Sequence, residues 1–321
     1  MMKLFPIKVE PVKARHTNIV EWMLGNTCNY DCSFCGEQFK SGSQRFLELS
    51  TYKNVIDKAI NQGQYEKTWF KLTGGEPTLY PELVELLKYI KEKGQFTYVI
   101  SNGSRTLRFW KEVKASNSLD IIALSYHPEQ TNDLQHLLDV VELFKDTTTI
   151  VLVNVTCLPK YFNEATSAYD IIKKQSTALL NLQQINDNYG MTKYSDEQKK
   201  ILLDYSHSKT DNYHLKKSSN ISSKYSYHSG MIKYTYDDGT ELTDHAIRFI
   251  KNEQDNFFGY SCDVGLSYIR IVYTDVTRST CGAGETWLIY DENIFQKNPI
   301  ICPYNSCTCT LDMIITKNKV S

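Results

Sequence analysis

Two rhythms of apolar and polar positions alternate along the first half of the chain. Short apolar runs of strand length lie at 19–25, 68–72, 96–100, 119–124 and 149–155. Between them, 49–62, 81–93 and 134–145 carry apolar residues at helical spacing, with Ser50 as a candidate cap of the first and Gly94 closing the second. Strands that alternate with helices predict a parallel sheet with crossover helices. In such folds ligands gather at the C-terminal ends of the strands. The strand ends here carry a cysteine loop after Gly25, then Gly74-Gly75-Glu76, Ser101-Asn102-Gly103, Ser125-Tyr126-His127 and Asn154.

The rhythm changes between 181 and 236, which is polar and rich in Ser, Lys, Asn and Tyr. A short helix at 197–205, a loop at 216–227 and a hairpin at 231–241 turning at Asp237-Asp238-Gly239 are expected. Lys216, Lys217 and Lys224 read as a solvated face. This stretch is an insertion over the open end of the sheet, and both a solvated connector and a substrate lid fit it. Alternation returns at 267–273 and 277–280, a hairpin flanked by Cys262 and Cys281, and Cys302, Cys307 and Cys309 follow. The expected organisation is therefore 1–180, an insertion at 181–255 and a small cysteine-rich extension at 256–321.

Composition narrows the classes. A chain of 321 residues buries a sizeable core. A net charge of −1 gives no global field that favours nucleic acid or an acidic membrane. The first ten residues have no apolar core of a signal peptide, and no apolar run approaches the ~20 residues that span a bilayer, so a cytoplasmic protein is expected. In a reducing compartment nine cysteines read as metal or cluster ligands rather than disulfides. Cys157, after an apolar strand, reads as a buried structural thiol.

The strongest chemistry is Cys28, Cys32 and Cys35 in a C-x3-C-x2-C spacing. Three thiolates on one loop can bind three corners of a cubane iron–sulfur cluster and leave the fourth iron open to a substrate. A zinc site and a ferredoxin-like loop share that spacing. Together with Phe34 before the third cysteine and the later run Thr73-Gly74-Gly75-Glu76-Pro77, the pattern resembles the radical S-adenosylmethionine (radical SAM) superfamily, over about 17–158 and more weakly over 255–317.

That resemblance implies an α/β fold, a partial (β/α)6 TIM-like barrel. It implies that Cys28, Cys32 and Cys35 hold a 4Fe–4S cluster whose open iron is chelated by S-adenosylmethionine. One electron from the cluster would cleave the sulfonium to a 5′-deoxyadenosyl radical, which takes a hydrogen atom from substrate. Glu76 would accept from the S-adenosylmethionine ammonium. Gly74 and Gly75 would let the backbone approach it, and Phe34 would pack near the adenine. Asn102, Ser125 and Asn154 would face ribose, carboxylate or adenine. His127 could donate to substrate, although a structural hydrogen bond is the plainer role. Cys262, Cys281, Cys302, Cys307 and Cys309 look like a twitch or SPASM extension with one auxiliary 4Fe–4S cluster, and zinc is the alternative.

The expected function is hydrogen abstraction from a small polar substrate, a sugar, nucleotide or amino-acid derivative, with a flavodoxin- or ferredoxin-type electron donor. A maturase acting on a ribosomally made peptide is the alternative. A non-catalytic iron–sulfur or zinc protein is the reading from another class. The Gly74-Gly75-Glu76 loop counts against it, because a plain carrier needs no cofactor-binding loop.

Overall fold

A computed structural model describes residues 5–12, 16–185, 193–202, 205, 230–307 and 309–320 of the chain. Strand β1 (Lys8–Pro11) comes first. An alternation follows: β2 (Thr17–Met23), α1 (Leu49–Gln62), β3 (Lys67–Thr73), α2 (Leu83–Glu92), β4 (Phe96–Ser101), α3 (Leu107–Ser116), β5 (Ile121–Tyr126), α4 (Leu134–Leu143), β6 (Ile150–Cys157), α5 (Phe162–Gln175) and β7 (Leu179–Gln184). The rest is mostly short strands: β8 (Met231–Thr235), β9 (Glu241–His245), helix α6 (Ala246–Lys251), β10 (Ser261–Cys262), β11 (Tyr268–Val272), β12 (Asp275–Thr277), β13 (Trp287–Leu288), β14 (Ile300–Ile301), helix α7 (Thr310–Met313) and β15 (Lys317–Asn318). The chain forms two compact units, one of 22–53 and 70–216, the other of 1–21, 54–69 and 217–321.

A nine-stranded sheet includes the order β2-β3-β4-β5-β6-β7, and β4 to β7, which lie in the first unit, pair in parallel. Helices cross between successive strands, so this is a partial TIM-like barrel. Successive residues of β6 face opposite ways. Val153, Val155 and Cys157 are wholly buried, while Asn154 between them is half-buried. The register places Ser125, Asn154 and Asn181 side by side on three neighbouring strands, so all three lie on one face of the sheet.

Helices α3 and α5 were not singled out by apolar spacing. Their buried faces are mainly aromatic and alanine, Phe109, Trp110 and Val113 on one and Phe162, Ala165, Ala168, Tyr169 and Ile172 on the other. Thr106 caps α3 by accepting from Phe109 N, and Asn117 closes it in the left-handed region at φ 49°. Ser50 is a correction. Helix α1 begins at Leu49, where Glu48 O accepts from Thr51 N and Tyr52 N, so Ser50 lies in the first turn rather than before it. Tyr52 anchors that turn, donating from its hydroxyl to Leu24 O at 2.8 Å.

In the second unit an antiparallel sheet runs β14-β10-β15-β1-β8-β9. The expected hairpin forms from β8 and β9, with Gly239 at φ 82° in its turn. It is built into this sheet beside β1. Tyr234 stacks on Phe249 at 3.9 Å and meets Phe257 edge-on, which gives the sheet an aromatic core. The second expected hairpin is β11–β12, with Tyr273 at φ 61° in its turn. Of the short helix expected at 197–205, residues 197–202 and 205 are described, and they are helical from 196. The 216–227 loop with Lys216, Lys217 and Lys224 lies outside the described residues.

Candidate functional site

The cysteine loop follows β2 and is organised by Asn26, 1% exposed. Its Nδ2 donates to Gln38 O, Ser41 Oγ and Ser43 Oγ at 3.0–3.1 Å, and its Oδ1 accepts from Gln44 N at 2.7 Å. One buried amide thus ties both ends of a loop that has almost no regular structure of its own. Lys40 lies under the loop, paired with Asp31 and donating to Cys32 O at 3.3 Å.

The three thiols are close enough to act on one another. Burial raises Cys28, and the Tyr30 N–H that Cys28 Sγ accepts at 3.4 Å opposes the rise. Burial pushes Cys32 up to about 12, helped by Glu129 and by the charges of Cys28 and Cys35. Cys35 is raised by burial and then by Cys28. Three crowded thiols that resist ionisation as a bare set are the donor chemistry that a cationic centre satisfies, because coordination deprotonates a thiol outright. The residues present fit an iron–sulfur cluster on that ground. Among the described residues no group of three or more His, Cys, Asp or Glu is arranged to hold a single ion. A cubane takes each cysteine on a different iron, so its ligands need not converge on one point.

The Gly74-Gly75-Glu76 turn is locked to this loop. Gly75 N donates to Gly25 O and Glu76 N to Thr27 O, at 2.9 and 2.8 Å. A Cβ on Gly74 would meet Gly25 O at 2.5 Å, and one on Gly75 would meet Thr27 O at 2.4 Å. The close approach that needs glycine is therefore made by the chain's own cysteine loop. Glu76 is 1% exposed. Its Oε1 accepts from Thr78 N, Thr78 Oγ1 and Ser101 Oγ, and its Oε2 accepts from Asn102 N at 2.7 Å. Burial raises its carboxyl and these donors oppose the rise. Only Oε2, with a single protein donor, keeps room for a ligand's N–H.

Asn102 donates to Asn29 Oδ1 at 2.9 Å and accepts from Ser104 N, so it too holds the cysteine loop. A cavity of about 530 Å³ opens here, lined in part by Tyr30, Asn102, Tyr126 and His136. Asn154 Oδ1 accepts from Asn181 Nδ2 at 2.9 Å, while Asn181 Oδ1 is buried without a partner. Ser125 lies in the same row. Phe34 stacks on His127 at 5.8 Å and 12°. Sequence reasoning missed Asn26, Lys40 and Asn181. Asn26, two residues before the first cysteine, carried the only usable signal, a polar residue at the end of an apolar run.

The other five cysteines lie in the second unit. Cys262 is raised by burial and then by Cys302 and Cys281, and Lys317 lowers it. Cys307 is pushed up to about 12 by burial, lowered by Lys317 and raised by Asp312, Cys262 and Cys281. Cys309 is raised by burial and by Asp312. Asp312, 3% exposed, accepts from Ser279 Oγ through Oδ1, whereas its Oδ2 is buried with no partner. These thiols and the orphaned carboxylate oxygen thus share one buried, mutually charged neighbourhood of the second unit.

Residues 22–170 match the family model described as Radical SAM superfamily. That span carries the radical SAM domain, and the cysteine loop and most of the open parallel sheet lie within it. It is 28% identical over 179 residues to a UPF0026 protein of Helicobacter pylori, covering 50% of this chain and 58% of that one. It is 37% identical over 112 residues to an S-adenosylmethionine-dependent nucleotide dehydratase of Lacinutrix mariniflava, covering 33% of this chain and 22% of that one. The chain thus spans less than two thirds of the length of these curated relatives. A solved structure described as native anSMEcpe with bound AdoMet and Kp18Cys peptide shares the fold, with a TM-score of 0.55, 13% identity and coverage of 86% of this chain and 78% of that one. Among the described residues no helix is long and apolar enough to cross a membrane.

Proposed function

We propose that this chain cleaves S-adenosylmethionine reductively and uses the resulting 5′-deoxyadenosyl radical to abstract a hydrogen atom from a small polar substrate, with a nucleotide derivative the favoured class. The carrying observation is that Cys28, Cys32 and Cys35 share one loop that backbone hydrogen bonds join to Gly75 and Glu76. Bound to the three thiolates, a 4Fe–4S cluster would supply the electron. Glu76 Oε2 would accept from the S-adenosylmethionine ammonium. Phe34, Asn102, Ser125 and Asn154 would hold the rest of that molecule along the strand ends. Gly74 and Gly75 serve the same site by letting the two loops touch.

The nucleotide class is favoured by the similarity to a nucleotide dehydratase. The structural neighbour with a bound peptide shares only the fold and motivates the second reading, a peptide substrate. Cys262, Cys281, Cys302, Cys307 and Cys309 would supply four ligands of an auxiliary 4Fe–4S cluster in the 256–321 extension. Residues 1–180 would form the radical part and 181–255 the cover. A flavodoxin or ferredoxin would deliver the electron, in the cytoplasm.

The test is anaerobic reconstitution followed by reduction with S-adenosylmethionine present. 5′-Deoxyadenosine is expected even without substrate, and its rate should rise with the right member of a nucleotide panel. A fully loaded, reduced protein that yields none sinks the proposal. Stimulation by a peptide and not by nucleotides would move the assignment to the second reading.

A further inference from the structure

His127 touches the cysteine loop through three of its residues. Its Nδ1 lies 3.6 Å from Cys32 Sγ and 3.3 Å from Thr156 Oγ1. Its ring stacks on Phe34 and meets Tyr30 edge-on, both at 5.8 Å. The two residues beyond Pro128 hold the same loop by its backbone, since Glu129 Oε2 accepts from Ser33 N and Gln130 Oε1 accepts from Asp31 N. The turn after β5 is therefore a template on which the middle of the cysteine loop is cast. Asp31, Cys32 and Ser33 are gripped from one side by His127, Glu129 and Gln130.

A thiolate bound to iron is an acceptor only. A hydrogen bond from the ring to that sulfur therefore needs the imidazole proton on Nδ1, where Thr156 Oγ1 can share it as a second acceptor, and it leaves Nε2 as the ring's acceptor. We propose that His127 is a positioning residue of the N-terminal cluster, its Nδ1–H donating to the Cys32 sulfur while its ring braces Tyr30 and Phe34. This rests on the radical SAM assignment made above and extends it. A donor to a ligand sulfur draws electron density from the cluster, favours the reduced and more negative state, and so raises the reduction potential.

The experiment uses the reconstituted full chain and follows, by electron paramagnetic resonance during a redox titration, the cluster whose signal changes on adding S-adenosylmethionine. His127→Phe keeps a stacking ring and removes the N–H. His127→Asn removes the ring and keeps an amide N–H at the position of Nδ1. The Phe variant should fall in potential by at least a tenfold change in the one-electron equilibrium, about 59 mV, with its iron retained. The Asn variant should stay near wild type. A Phe variant with the wild-type potential overturns the proposal, as does an equal shift in both. Should the Phe variant fail to fold, His127→Met takes its place as the side chain without a donor and the same outcomes apply. A wild-type chain with no S-adenosylmethionine-responsive signal would instead defeat the radical SAM assignment itself, before any variant is compared.

Discussion

Gly75 shows how much one missing carbon decides. The Cβ of an alanine there would lie 2.4 Å from Thr27 O, against backbone that is fixed by the neighbouring Glu76 N–H bond to the same oxygen. Gly75→Ala must therefore push the cysteine loop away, at a cost of about 1–3 kcal/mol, the range for overpacking. A lower midpoint in urea unfolding together with poorer iron loading is the expected outcome. Unchanged loading would mean that the two loops need not touch. Cys157 gives the opposite kind of residue. It is wholly buried on the helix-facing side of β6, and burial pushes its thiol up to about 12. Its nucleophilic thiolate is scarce at about pH 8, near the ordinary thiol range. Iodoacetamide on the native protein should spare Cys157, and the unfolded chain should be labelled there, as peptide mass spectrometry will show. Native labelling would place Cys157 in the accessible site after all.

At the scale of the element, loops without regular structure are held by single buried side chains. Asn26 makes four hydrogen bonds across the cysteine loop, and alanine would remove all four ties at once. Asn26→Ala should cost about 2–4 kcal/mol and lower iron occupancy, although position 26 is no ligand. A variant that loads iron fully would show that the cluster itself can organise the loop. Lys317 plays the corresponding part in the second unit. Its ammonium, 1% exposed, donates to Asp312 O and Ile315 O at 2.6 and 2.9 Å and lies 5.1 Å from the Phe257 ring. It thus closes the carbonyl end of α7, the helix whose other end starts at Cys309. Lys317→Met keeps the stem and removes those donors, for an expected loss of about 1–3 kcal/mol in thermal or urea unfolding. No loss would show that the freed carbonyls find other partners.

On the scale of the whole molecule, two cysteine sets lie in two separate compact units. Each should therefore load independently. The reconstituted chain is expected to hold roughly two cubane clusters, about eight iron atoms. A Cys28/Cys32/Cys35→Ala variant should keep about half, and absorption at the iron and zinc edges identifies what remains. A variant that keeps all its iron refutes the N-terminal assignment. A zinc-only signal in the second unit replaces the auxiliary cluster with a structural zinc. The polar stretch after β7 fits both a cover over the site and a solvated connector, and a deletion separates the two. Removing about 186–228 should spare iron loading and uncoupled S-adenosylmethionine cleavage while abolishing substrate turnover, and normal turnover would make it a connector only.

The sequence by itself determined what depends on neighbours along the chain. Strand and helix periods placed β2 to β6 and α1, α2 and α4 within a few residues, because each buries one face and the spacing of apolar residues records that face. Cysteine spacing and the Gly-Gly-Glu turn named the ligand set for the same reason. Helices α3 and α5 escaped because their buried stripes are built mainly of aromatic and alanine residues rather than Leu, Val and Ile. Only the tertiary structure could decide what depends on residues brought together from far along the chain. It turned Gly74 and Gly75 toward the cysteine loop, placed His127 against Cys32, and set Asn181 beside Asn154 with an open acceptor. It also gave the 231–245 hairpin to a sheet with the first strand. Such pairings are fixed by register and crossover geometry, which bring together side chains dozens of residues apart and leave no local periodicity from which to read them.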